Sequence, residues 1–132
     1  MLGAPCNQFG HQENGSCDDI YAILRNVRPG NGFEPNFVLL EKADVNGFKA
    51  QPLFKFLRIA KPIQDDRDHE RDVNADASSS PLLHSPPAAS DVLWNFEKFL
   101  IDRTGKPRYR FLPGTQPSDL KDSIETLLNE SE

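Results

Sequence analysis

An α/β layer structure with a mixed sheet is the fold class this sequence predicts, on three observations. Amphipathic helical stretches alternate with short apolar runs bounded by turn residues, a β-hairpin follows a long polar segment, and a further amphipathic stretch closes the chain. At 132 residues with 37% hydrophobic content, there is material for one modest core, so a single domain over 1–132 is expected.

The elements follow in order. Met1 to Phe9 is a short apolar stretch running into Pro5, which reads as the end of a strand. Ser16 caps a helix predicted from Cys17 to Val27, whose Ile20, Ile23, Leu24 and Val27 recur at i, i+3, i+4 and i+7, with Asp18 and Asp19 suited to its first turn. Pro29, Gly30 and Gly32 end it, and Phe37 to Glu41 reads as a buried strand closed by the Asn46-Gly47 turn. Pro52 opens a second helix where a missing N–H costs little, with Leu53, Phe56, Leu57 and Ala60 as its buried stripe. From 61 to 91, mixed charges and Ser/Pro clusters predict a long loop, mobile in part. Leu93 to Ile101 reads as a strand, Asp102 to Lys106 as a turn and Arg108 to Leu112 as its hairpin partner. Ser118 then caps a last helix with Leu120, Ile124, Leu127 and Leu128 inward.

Several function classes are disfavoured by composition. A net charge of −5, spread along the chain, provides no footprint for nucleic acid or an anionic membrane surface. No apolar run approaches the roughly 20 residues of a bilayer span. Cys6 and Cys17 form neither a disulfide framework nor, with His11, His69 and His84, a metal-ligand spacing, so a reduced, metal-free and cofactor-free protein is expected.

Two segments carry more than pattern. Gly3 to Gly15 (GAPCNQFGHQENG) and Trp94 to Leu100 (WNFEKFL) closely resemble the two downstream signature motifs of glutathione peroxidases, in order and at about the family's spacing. Arg28 to Phe37 (RPGNGFEPNF) is similar to the loop of the oligomeric, glutathione-using branch. The resemblance covers nearly everything outside the 61–91 loop. It implies a thioredoxin-like fold that here lacks its N-terminal strands and first helix, and an enzyme that reduces hydrogen peroxide or organic hydroperoxides in the response to oxidative stress. It also implies glutathione as reducing co-substrate and a homo-oligomer formed through the 28–37 loop. In relatives that loop narrows access, which disfavours bulky lipid hydroperoxides. A cytoplasmic location is the default expectation, any targeting segment lying ahead of Met1.

By the same resemblance, Gln12, Trp94 and Asn95 are the residues that surround the attacking chalcogen. The chemistry explains the residue types: the nucleophile is an anion, and an indole N–H and two carboxamide NH₂ groups donate hydrogen bonds to it without adding charge. Read singly, each has a plainer role, a core Trp or a turn-forming Gln and Asn. The family's selenocysteine or cysteine nucleophile lies upstream of the first motif, so these 132 residues are expected to be inactive alone. Cys6 reads as a small buried residue, and Cys17, at a helix start, is not placed by the family beside Trp94. We expect the parent gene to carry a selenocysteine UGA codon that was read as a stop, with the chain restarting at Met1.

The position that holds a resolving cysteine in thioredoxin-dependent relatives is Arg25 here, which favours an external thiol. Arg28, Arg108 and Arg110 are candidates for a basic rim facing the glutathione carboxylates, or plain surface cations. Relatives often have Trp before Ser85-Pro86 and Arg near 89, where His84 and Ala89 stand here; relaxed thiol selectivity is expected. The competing readings are a non-catalytic assembly paralogue that pairs with full-length subunits, and a fragment that does not fold alone. Either way, the unpartnered apolar faces predict poor solubility.

Overall fold

A computed structural model of the chain describes residues 1–62 and 90–130. Most of the expected 61–91 loop, including His84 and Ala89, lies outside the described residues. Chain order is β1 (Leu2–Gly3), α1 (Cys17–Asn26), β2 (Val38–Leu39), α2 (Pro52–Ala60), β3 (Lys98–Ile101), β4 (Pro107–Phe111), a 3₁₀ turn (Pro117–Leu120) and α3 (Lys121–Asn129). The parallel and antiparallel pairings expected of a mixed sheet are both present. They are divided between two two-stranded sheets, β1 with β2 in parallel and β3 with β4 antiparallel.

Helix boundaries follow local chemistry. Ser16 and Asp19 form the capping box that starts α1: the Ser16 hydroxyl accepts the Asp19 N–H at 3.2 Å and the Asp19 carboxylate accepts the Ser16 N–H at 2.8 Å. The same carboxylate accepts the Ser16 hydroxyl, and these bonds hold the Asp19 carboxyl below its ordinary range. Pro52 occupies the first turn of α2 as expected.

Four expectations are corrected. In α2, Phe56 is exposed, and Phe54 packs against the core, meeting Phe99 edge-on at 6.1 Å. The strand expected from Leu93 begins only at Lys98, because Val92 to Glu97 turn instead of extending, with Phe96 in the left-handed region at φ 65°. The closing helix begins with a 3₁₀ turn whose N-cap is Gln116 instead of Ser118, the Gln116 N–H being accepted by the Asp119 carboxylate at 3.2 Å. Of that helix's expected inward residues, only Leu120 and Leu127 are buried, while Ile124 and Leu128 face outward.

The core is small and central. Cys6, Phe9, Val45 and Val92 are buried together, with Phe54, Trp94 and Phe99 packed against them. It lies where the segment after β1, the segment after β2 and the segment before β3 meet. Its formation therefore brings residues 6–9 and 92–94 into register, which is what places the site.

Candidate functional site

The first half of the site is a reversal of chain after Phe9. Gly10 (φ 64°) and His11 (φ 51°) are both left-handed, a pair of conformations that turns the backbone sharply and costs little only at the glycine. Side chains brace this turn from below. Asn7 accepts the Glu13 N–H at 2.9 Å and donates to Asn14 at 3.1 Å, and Asn14 donates to the His11 carbonyl at 2.8 Å. From the β2 side, the Lys42 ammonium donates to the carbonyls of Glu13 (3.2 Å) and Gly15. Gln12 stands at the tip of this braced loop, exposed.

The second half is the Asp91–Glu97 turn, and a buried polar seam ties it to the first. Gln8 accepts the N–H groups of Val45 and Asn46, each at 2.9 Å, and donates to the Asn46 carbonyl at 3.1 Å. Asn46, 1% exposed, embraces Val92: its amide donates to the Val92 carbonyl and its carbonyl accepts the Val92 N–H, both at 2.8 Å. Burying these groups costs free energy unless each is satisfied, and here they satisfy one another. Arg58 pairs with Asp91 alongside.

Trp94 and Asn95 project from that turn onto the first half. The Trp94 ring tilts at 55° against Phe9, centroids 5.7 Å apart, and covers Gly10 so closely that a Cβ there would sit 3.3 Å from the indole. Asn95 donates to the Gln12 carboxamide oxygen at 2.9 Å, joining residues 83 positions apart. Gln12 and Asn95 are thus in direct contact, and Trp94 is held against the turn that carries Gln12. Among the described residues the Gln12 NH₂ group, the second N–H of Asn95 and the Trp94 indole N–H have no other hydrogen-bond partner, and all are donors without formal charge.

The remaining sequence candidates divide. Arg110 is corrected: it is no rim cation but 9% exposed, with its guanidinium on Glu97 and on the carbonyls of Lys61 (3.2 Å), Ser90 (3.0 Å) and Asp91 (2.7 Å). Arg108 is committed elsewhere, bonded to Asp102 at 3.3 Å and to Glu130 at 2.5 and 3.0 Å. Arg28 is exposed in the loop after α1, beside a cis bond to Pro29. Arg25 pairs with Glu34 across that loop at 3.4 Å.

Among the described residues, neither cysteine is hydrogen-bonded to Gln12, Trp94 or Asn95. Cys6 is buried, which pushes its thiol pKa up, and it donates to Gln8 at 3.6 Å. Cys17 is exposed at the start of α1, where its sulfur accepts the Lys42 N–H at 3.4 Å. Among the described residues no cluster of His, Cys, Asp and Glu could hold a metal, and no helix is long and apolar enough to cross a membrane.

Sequence reasoning missed Gln8, Asn46 and Glu97. The one available signal was that Gln8 and Glu97 lie inside the two motifs; Asn46 read as a turn former.

Comparison with known proteins fits this geometry. Residues 1–58 match the glutathione peroxidase family model. The chain is 48% identical over 131 residues to glutathione peroxidase 1 of Mus musculus, covering 98% of this chain and 63% of the mouse protein. It is 49% identical over 129 residues to the glutathione peroxidase of Molluscum contagiosum virus subtype 1, covering 97% and 56%. The chain therefore spans less than two thirds of the length of the curated relatives it matches. Among solved structures it is similar to Trgpx in its apo form (TM-score 0.60, 29% identity, covering 98% of this chain and 57% of that one). T. cruzi GPX1 is similar too, with a TM-score of 0.57 at 27% identity, covering 99% and 61%. With its partial thioredoxin-like architecture, and with both quoted motifs folded against each other, the chain belongs to the glutathione peroxidase family.

Proposed function

We propose that this chain carries the hydrogen-bond-donating half of a site that reduces hydrogen peroxide or organic hydroperoxides, with glutathione as electron donor. The observation that carries this reading is the 2.9 Å bond from Asn95 to Gln12, which turns both carboxamides into one cluster with Trp94 alongside. Uncharged donors of this kind stabilise a thiolate or selenolate and lower its pKa.

The nucleophile, a cysteine or selenocysteine, comes from polypeptide outside these 132 residues. It attacks the terminal oxygen of the hydroperoxide; a chalcogen–oxygen bond forms and the O–O bond breaks. The departing oxygen takes a proton and leaves as alcohol, or as water from hydrogen peroxide. The chalcogen is now two electrons oxidised, a sulfenic or selenenic acid. One glutathione displaces water from it, and a second attacks the glutathione sulfur of the mixed species, returning the anion and releasing glutathione disulfide. Arg25, at the position of a resolving cysteine in thioredoxin-dependent relatives, supports an external thiol. Arg28 is the exposed cation that supports binding of a carboxylate on that thiol.

The test extends the chain at its N-terminus with the upstream segment of the mouse relative, cysteine as nucleophile, and follows peroxide consumption with glutathione. The extended chain turns over and the 132 residues alone do not. Gln12→Ala, Asn95→Ala and Trp94→Phe each lower kcat, by about 10²-fold if the removed donor acts as in an oxyanion site. Unchanged turnover in all three variants overturns the reading.

A second reading is favoured by the outward-facing Val27, Phe33, Leu2 and Val38: the chain acts as a non-catalytic assembly subunit. Co-elution with a full-length relative, without any gain in turnover from the extended chain, selects it.

A further inference from the structure

The turn that presents Trp94 and Asn95 is built around one buried ion pair. The side chains of Glu97 and Arg110 are 1% and 3% exposed, and they lie on adjacent strands of the β3–β4 hairpin or at its start. One Glu97 oxygen meets Arg110; the other accepts the Leu93 N–H at 2.8 Å, closing the turn from its C-terminal side. Arg110 closes it from the N-terminal side through the Ser90 and Asp91 carbonyls, at 3.0 and 2.7 Å. Its guanidinium also rests on the Phe99 ring, 5.1 Å from the centroid, so its plane is fixed by packing as well as by hydrogen bonds. Residues 90–97 are thereby gathered around this pair, beside the Arg58–Asp91 pair, and Trp94 and Asn95, followed by the outward-facing Phe96, are the side chains between the grips at Leu93 and Glu97.

We propose that Glu97 and Arg110 are positioning residues, whose pairing fixes the Leu93–Glu97 turn and so aims the Trp94 indole and the Asn95 amide at the site. The inference rests on the reading of Trp94 and Asn95 as donors, which it deepens. A well-packed apolar pair of similar volume would fill the same space, and buried ion pairs seldom add net stability over such replacements. The function of this pair is directional: only a carboxylate can accept from Leu93 and Arg110 together, and only a guanidinium can reach Glu97 and two carbonyls in one plane.

Trp94 is the sole tryptophan of the chain, so intrinsic fluorescence reports on it alone. In Glu97→Ala and Arg110→Met, Trp94 emission shifts to longer wavelength and acrylamide quenching rises toward that of free indole, while far-UV circular dichroism keeps the helical signal. Glu97→Gln, which keeps one acceptor for Leu93, recovers part of the native emission, whereas Glu97→Met, which fills a similar volume without an acceptor, recovers none; a merely space-filling role would give native emission in both. In the unaltered chain the Leu93 amide is slow to exchange with deuterium, an expectation that holds whether or not a variant folds. Native emission in both Glu97→Ala and Arg110→Met, or a Leu93 amide that exchanges at the open-chain rate, overturns the proposal. In the extended chain the same variants lower kcat with little change in KM. Shifted emission with unchanged kcat would fault the donor reading and leave the positioning role intact.

Discussion

The seam joining residues 6–12 to residues 91–97 and the helices flanking it are finished by different means. In the seam, buried side chains grip backbone: Gln8 holds Val45 and Asn46, Asn46 holds Val92, and Glu97 with Arg110 holds Ser90 to Leu93. On the helices, the apolar stripes that the sequence predicts are only half used. Ile20 is buried while Ile23 and Val27 face outward, and Leu57 is buried while Phe56 and Ala60 are exposed. Polar side chains with matched partners specify one arrangement because any slip leaves a donor or acceptor buried and unpaired. Apolar stripes specify a face and accept many partners. The site is thus placed by the directional part of the molecule, and the helical surface is left to whatever covers it.

Three comparisons sharpen that contrast. The largest effect is expected for Asn46→Ala, which strands the buried N–H and carbonyl of Val92; at roughly 1–3 kcal/mol for each orphaned group, the loss is about 3 kcal/mol in urea unfolding. In the same assay Val27→Ser and Ile59→Ser stay within about 0.5 kcal/mol, since both positions already face outward. Equal losses at seam and stripe would break the comparison.

A smaller effect is expected at Gly10, where the backbone is left-handed and the indole lies against the missing Cβ. Gly10→Ala costs about 1 kcal/mol from the conformation alone. It also displaces Trp94, visible as altered emission. Unchanged stability with unchanged emission would show that the indole does not rest on this turn.

The smallest effect belongs to the Asp102–Lys106 turn, at the opposite end of the hairpin from Glu97 and Arg110. The Thr104 hydroxyl at 2.6 Å, the Lys106 and Thr104 N–H groups and Arg108 hold the Asp102 carboxyl from 3.8 down to about 2. Its folded value lies below its unfolded one, so the stability it lends is complete above the unfolded value and is lost as pH falls toward 2. Asp102→Asn flattens that part of the stability–pH profile. An unaltered profile would show that the turn does not depend on the charge.

Much of the fold was legible in the sequence where the signal is local. The Ser16 cap, Pro52 at the start of α2 and the turn from Asp102 to Lys106 are each written in neighbouring residues, and each falls where expected. The strand expected from Leu93 failed because its register is overridden at a distance: Asn46 bends Val92 inward, and Arg110 draws back Ser90 and Asp91. Periodicity cannot report a bond to a residue 46 positions away. For the same reason Arg110 read as a rim cation, since its partner Glu97 is brought to it by hairpin register. Gln12, Trp94 and Asn95 were found by motif resemblance alone, and their proximity became visible only in the fold.

The central claim is that the two motifs fold into one cluster of donors, and its most direct test is an NMR measurement of side-chain proximity. Cross-relaxation between the Asn95 amide protons and the Gln12 side chain, with the Trp94 ring protons reaching Gly10, is the predicted result. Resolved signals for all four residues with no cross-relaxation between the motifs would contradict it.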